Sequence, residues 1–199
     1  MTHPFYQRWQ KGKVPHEVLQ EYARQYYHYE RALPTLLRTA MEHMEEGPDK
    51  EAVARVLEDE SSNPKPHADL WLDFAEGLGL DRDEVRSAEP TARTRNLVET
   101  YTTLANKGAD EGLGAIYAYE SQFAAVAAAK GDGLRSHYGV EDSKATSFFD
   151  LHADLDEHHA RVMRSAFSDT ARSQEAAGLA LEAWWRMLDQ FEQLSDKAA

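Results

Sequence analysis

The chain is expected to fold as an all-α bundle of about seven or eight helices. Three observations predict this. Apolar residues recur at three- and four-residue spacing almost throughout. The alternating β-branched runs that mark strands are missing. Prolines and capping residues fall at the joints between the periodic stretches.

The elements follow in order. Pro15 can open a helix reaching about Met44, with Val18, Tyr22, Tyr26, Tyr29, Leu33, Leu36, Leu37 and Met41 on one face. Pro34 lies inside that stretch and is expected to kink it. Pro48 leads into a helix over Glu51–Glu60, and Asn63-Pro64 breaks the chain. The next helix is expected from about Pro66 to Gly77. Asp81 with Glu84 forms a capping-box-like start, and Pro90 begins a helix to about Lys107. The last three cover about Asp110–Lys130, Ser147–Phe167 and Ser173–Leu194. The 199 residues are read as a single domain over 1–199, with a core large enough to fold unaided.

Composition narrows the function. With 22 Lys+Arg against 35 Asp+Glu, the net charge is −13, which argues against a nucleic-acid partner. The absence of cysteine excludes disulfides, thiolate metal sites and a cysteine nucleophile. No signal peptide and no apolar run long enough to span a membrane are seen, so the expected location is the cytoplasm, with no membrane partner. Most of the acidic excess reads as solvated surface.

Some acids do not fit a solvated face. At about 100° per residue, Phe148, His152, Leu155, Asp156, His159, Val162 and Met163 share one helix stripe. A buried carboxylate there needs a partner, either a hydrogen-bonded histidine or a metal ion. Glu60 continues the stripe of Val53, Val56 and Leu57, and Glu120 lies amid Leu113, Ile116, Tyr117 and Phe123. Carboxylates and imidazoles on facing bundle helices are how dimetal sites are built. The ordinary four-helix di-iron pattern needs two Glu-x-x-His motifs, and only Asp156-x-x-His159 approaches one. A different ligand order is required. His67, beyond the break after Glu60, completes the set Glu60, His67, Glu120, His152, Asp156 and His159. Its three carboxylates offset three of the four charges of two divalent ions, in a mixed N/O environment suited to iron or manganese.

These motifs carry a resemblance. His3-Pro-Phe-Tyr-Gln-Arg-Trp9, Tyr22-Ala-Arg-Gln-Tyr-Tyr27, His67-Ala-Asp-Leu-Trp71, Tyr119-Glu-Ser-Gln122 and His152-x₃-Asp156-x₂-His159 resemble the haem-oxygenase-like dimetal oxidases. The nearest branch is that of the chlamydial protein associating with death domains. The resemblance implies a haem-oxygenase-like bundle holding two metal ions, Fe/Fe or Fe/Mn, with dioxygen as co-substrate and an external reductant. It further implies p-aminobenzoate synthesis for folate from the protein's own tyrosine, with a lysine as amine donor. By motif correspondence these are Tyr6 and Lys130, with Tyr22 and Tyr119 lining the site. One position departs: Phe148 stands where that branch is expected to carry a tyrosine.

Without the resemblance, Lys130 reads as a helix C-terminal cation and Tyr6 as an aromatic packed with Phe5 and Trp9. Ten residues of straight helix, about 15 Å, separate Glu120 from Lys130, so the lysine is not expected at the metals unless the helix bends.

Four competing readings remain open at this stage. The dimetal site could act on an external small molecule, a fatty acid or an amine, which a long apolar tunnel would favour. A metal-free oxidase of the pyrroloquinoline-quinone synthase type would not need six ligands, and the thiaminase-like branch lacks its cysteine here. A haem oxygenase needs an axial histidine on an early helix, for which His28 could be proposed, a position that reads more simply as structural or exposed. The death-domain association suggests an interaction protein, but the aromatic stripe of Leu181, Trp184, Trp185, Leu188 and Phe191 reads as a packing helix. That helix could also serve a homodimer, the expected assembly.

Overall fold

A computed structural model describes residues 2–198. Ten helices run through it, and none of the described residues forms a strand. They are α1 (Pro4–Gln10), α2 (His16–Glu30), α3 (Leu33–Glu42), α4 (Pro48–Ser62), α5 (His67–Gly77), α6 (Arg82–Ser87), α7 (Ala92–Lys107), α8 (Ala109–His137), α9 (Ser143–Ala166) and α10 (Ala171–Ala198). Eight have ten or more residues; α1 has seven and α6 six.

The local chemistry explains the joints. Asp81 accepts from the backbone N–H groups of Asp83 and Glu84, which starts α6. Thr91 caps α7 through the Thr94 N–H, and Asp142 caps α9 through the Lys144 N–H. The single long helix expected from Pro15 to Met44 is instead two. The chain breaks at Arg31 and Ala32, and Pro34 occupies the first turn of α3. Proline lacks the N–H that a continuous helix would use, and the first turn is where that loss costs nothing. The short α1 was not legible as a helix. His3 accepts from the Phe5 N–H, and Phe5, Tyr6 and Trp9 are buried.

The long helix α8 packs against both α9 and α10, with α2 and α5 completing the core around Tyr22, Tyr26, Trp71, Phe74 and Phe148. Close approach matters at one place for the site. A Cβ on Gly133 would lie 2.8 Å from the Trp9 ring, so only glycine lets α1 seat against α8. The Trp9 indole N–H then donates to the Lys130 carbonyl. The N-terminal segment is thereby fixed over the C-terminal third of α8. Among the described residues, no helix is long and apolar enough to cross a membrane.

Candidate metal centre

Five helices deliver the charged residues of the interior. The break around Asn63–Pro66 lets Glu60 end one helix and His67 begin the next, both facing inward. The α9 spacing puts His152, Asp156 and His159 on its buried stripe, and α8 supplies Glu120. All six residues are at most 5% exposed.

Their atoms form two adjoining groups. Glu30, Glu60, His67 and His152 each offer one ligand atom, and these lie within 4.8 Å of one another. Glu120, Asp156 and His159 form the second group by the same measure. Glu60 links the two. Its Oε2 lies 2.8 Å from His67 Nδ1 and its Oε1 3.3 Å from His159 Nδ1. The structure thus brings all six expected residues together, with Glu30 beside them.

Glu30 was missed in the sequence. A signal was available, because it follows Tyr22 and Tyr26 at +8 and +4 on the inward face of α2. It sits beside Tyr29, which took the inward position in the reading of that stripe.

The donors fit a metal ion better than they fit one another. Both carboxylate oxygens of Glu60 and of Asp156, Oε2 of Glu120, and the Nδ1 atoms of His67 and His159 are buried without a hydrogen bond. The short His67–Glu60 and His159–Glu60 approaches lack hydrogen-bond geometry, as expected of lone pairs aimed at a shared point. Orphaned polar atoms in such number are costly, and native proteins keep few of them. His152 shows the supporting shell such a site needs: its Nδ1 is fixed by the Phe148 carbonyl at 2.7 Å, which leaves Nε2 as the ligand atom.

Charge leads to the same conclusion. Four carboxylates share one interior, and four negative charges would balance two divalent cations. Without cations they cannot all ionise. Burial pushes Glu30, Glu120 and Asp156 up, Glu120 to about 8, with the neighbouring carboxylates adding to the shift. Burial also acts on Glu60, but His159 and His67 beside it prevail and hold it well below the ordinary range. Burial lowers His152 to about 4, which keeps it a neutral donor.

Next to this centre lies a shell of tyrosines. The Tyr26 and Tyr119 hydroxyls share a hydrogen bond. Tyr119 adjoins Glu120 in α8 and stacks on Trp184, with ring centroids 4.5 Å apart. Phe148 packs on the His152 ring at 4.0 Å and 6.3 Å from Tyr26.

Lys130 lies outside both carboxylate–histidine groups and is not a helix-end cation either. The α8 helix continues past it to His137, and its side chain is 1% exposed. Its Nζ donates to the Tyr22 hydroxyl and stands 4.7 Å from the centre of the Tyr6 ring and 4.6 Å from that of Tyr22. No carboxylate lies within 4.0 Å of it among the described residues. Burial therefore pushes its pKa well below the ordinary lysine range and favours the free amine. His28 lies apart from the centre and lines a surface recess with Arg31 and Arg95.

A buried carboxylate–histidine centre in an all-helical bundle, in a chain without cysteine, has the donor set for iron and redox chemistry. The family model of iron-containing redox enzymes matches residues 20–191, and the chain belongs to that haem-oxygenase-like family. Its relatives include the 4-aminobenzoate synthase of Nitrosomonas europaea, 34% identical over 95% of this chain and 84% of that protein. Another is the 4-aminobenzoate synthase of Chlamydia muridarum, 29% identical over 96% of this chain and 84% of the relative. Among solved structures, a TenA homologue from Pseudomonas syringae superposes with a TM-score of 0.80 at 14% identity, covering 96% of this chain and 85% of the other. A CADD-like protein from Nostoc punctiforme gives 0.71 at 20% identity, over 94% of this chain and 86% of that one. These structural likenesses establish the fold.

Proposed function

We propose that this protein makes 4-aminobenzoate from the Tyr6 side chain, with Lys130 as the source of nitrogen. The observation that carries the reading is the pairing itself. A buried lysine amine with no counter-ion stands against two tyrosine rings, Tyr6 at 4.7 Å and Tyr22 at 4.6 Å, and of these two only Tyr6 lines the cavity that opens to the surface. The named relatives act as 4-aminobenzoate synthases, and they span nearly the whole chain.

Glu30, Glu60, His67 and His152 would hold one ion, and Glu120, Asp156 and His159 the other, with Glu60 able to bridge. Iron, alone or with manganese, would supply the oxidising power drawn from dioxygen and an external reductant. The remaining chemistry belongs to the chain. Desolvation keeps Lys130 Nζ unprotonated, so its lone pair is available toward the Tyr6 ring. Tyr22 accepts the Lys130 N–H and so sets the direction of that lone pair. Burial likewise keeps the Tyr6 phenol neutral, and Phe5 packs beside its ring. The product would serve folate synthesis, and each chain would act once or a few times.

The test is release of 4-aminobenzoate from reduced, iron-loaded protein in air, with the intact mass of the protein followed in parallel. Tyr6→Phe and Lys130→Arg each abolish release under this reading. Release from Tyr6→Phe at the wild-type level would assign the chemistry to an external substrate.

A further inference from the structure

A cavity of about 230 Å³ opens from the surface onto the Tyr6 ring. It lies between the start of α1, the middle of α8 and α10, and Tyr119, Phe123, Val126 and Trp184 form its walls. We propose that this cavity is the seat of a one-ring aromatic carboxylate, the molecule released from the Tyr6 position. The inference rests on the proposed function and names the place where its product is held and leaves.

Four observations support it. Tyr6 is buried on the Lys130 side yet lines the cavity, so the cavity meets the one ring that the chemistry would detach. The walls are mainly aromatic and aliphatic, which suits a flat ring, and Tyr119 is already held rigid by its stack on Trp184. The volume is below that of sites for drug-sized ligands and suits a single ring, whereas a long acyl chain would need a deeper tube.

The fourth observation is the mouth. Four large hydrophobic side chains stand exposed among the described residues, and two of them, Leu181 at 40% and Trp185 at 46%, flank this opening. Trp185 is braced edge-on by the His3 ring at 4.6 Å. The exposed amide of Gln122 lies at the same opening, with its Nε2 donating to the Ala118 carbonyl. The ring of the ligand would lie inward against Tyr6 and Trp184. Its carboxylate would stay at the mouth in contact with water, which avoids burying a charge where no cation waits.

The experiment uses metal-free full-length protein, in which the oxidation cannot occur, and titrates it calorimetrically with 4-aminobenzoate and, separately, octanoate. One saturable site per chain for 4-aminobenzoate, with octanoate at least tenfold weaker, is expected. Val126→Trp fills the cavity from α8 and should weaken 4-aminobenzoate at least tenfold. Trp185→Ala alters only the exposed rim, so it keeps the fold, and should weaken it at least threefold. Absence of saturable binding, or equal binding by wild type and Trp185→Ala, overturns the assignment. If iron-loaded protein still releases 4-aminobenzoate in that case, the Tyr6 chemistry stands and only the cavity assignment fails. Binding without any release would reject the Tyr6 chemistry and leave the cavity as a binding site.

Discussion

Replacing Glu120 by Gln should stabilise the metal-free protein while depriving it of a metal. Glu120 is 5% exposed, and burial raises its carboxyl from 4.5 to about 8, with Glu60 adding to the shift. The sign follows from linkage. A carboxyl whose pKa is raised on folding must take up a proton, so its favourable contribution is complete below pH 4.5 and is lost as pH rises toward 8. At pH 7 the protein forgoes about 2.5 pH units of that difference, or about 3 kcal/mol at 1.36 kcal/mol per unit. A glutamine bears no such cost. Allowing for imperfect packing of the amide, the gain is about 2–3 kcal/mol, and for a chain of this length Tm rises by roughly 4–12 °C. Melts of metal-free wild type and variant at pH 5 and pH 8 read this directly. The gain should be large at pH 8 and nearly absent at pH 5. With iron at about 1,000 times Kd the order at pH 7 should reverse, because the site that the variant lacks then adds about 4.1 kcal/mol to wild type, more than the variant gains. A variant less stable than wild type at pH 8 without metal, or a gain independent of pH, would refute the picture of crowded carboxylates waiting for cations.

Other outcomes follow from the same geometry. Metal affinity should rise between pH 5 and pH 8, since Glu120 titrates near 8 and must lose its proton to bind; isothermal titration in buffers of different ionisation enthalpy will show the proton release. Lys130→Met should keep the helical circular dichroism and the metal content, and raise Tm, since a desolvated amine is replaced by an apolar side chain of similar length; product release should vanish. Gly133→Ala should push Trp9 off α8 and cut product release at least tenfold, while iron content measured by elemental analysis is unchanged. Glu30→Gln should lower the affinity for one ion by roughly 10–100-fold in competition with a chelator, although Glu30 was not legible as a ligand.

The sequence carried the metal centre further than it carried the N-terminus. Asp156 between two histidines on one stripe, and the proline break that frees His67 from Glu60, follow from helical periodicity and from the missing N–H of proline, and the structure brings these residues together. Glu30 escaped because the helix was expected to run on to Met44 with Tyr29 facing inward, and an acid beside that stripe looks solvated until the tertiary fold buries it. The α1 helix escaped because seven residues give too little periodicity to read. Lys130 was legible only through resemblance. A lone lysine in an alanine-rich stretch shows no preference for burial, and its cage comes from α1 and α2, far away in sequence.

The account stands on two metal ions held by these residues. Elemental analysis after anaerobic iron loading and desalting measures this most directly, applied to wild type and to Glu60→Ala, the variant lacking the side chain that lies between the two groups. Two ions per chain are expected for wild type and fewer than one for the variant. Wild type retaining fewer than two, or a variant that still retains two, would contradict it.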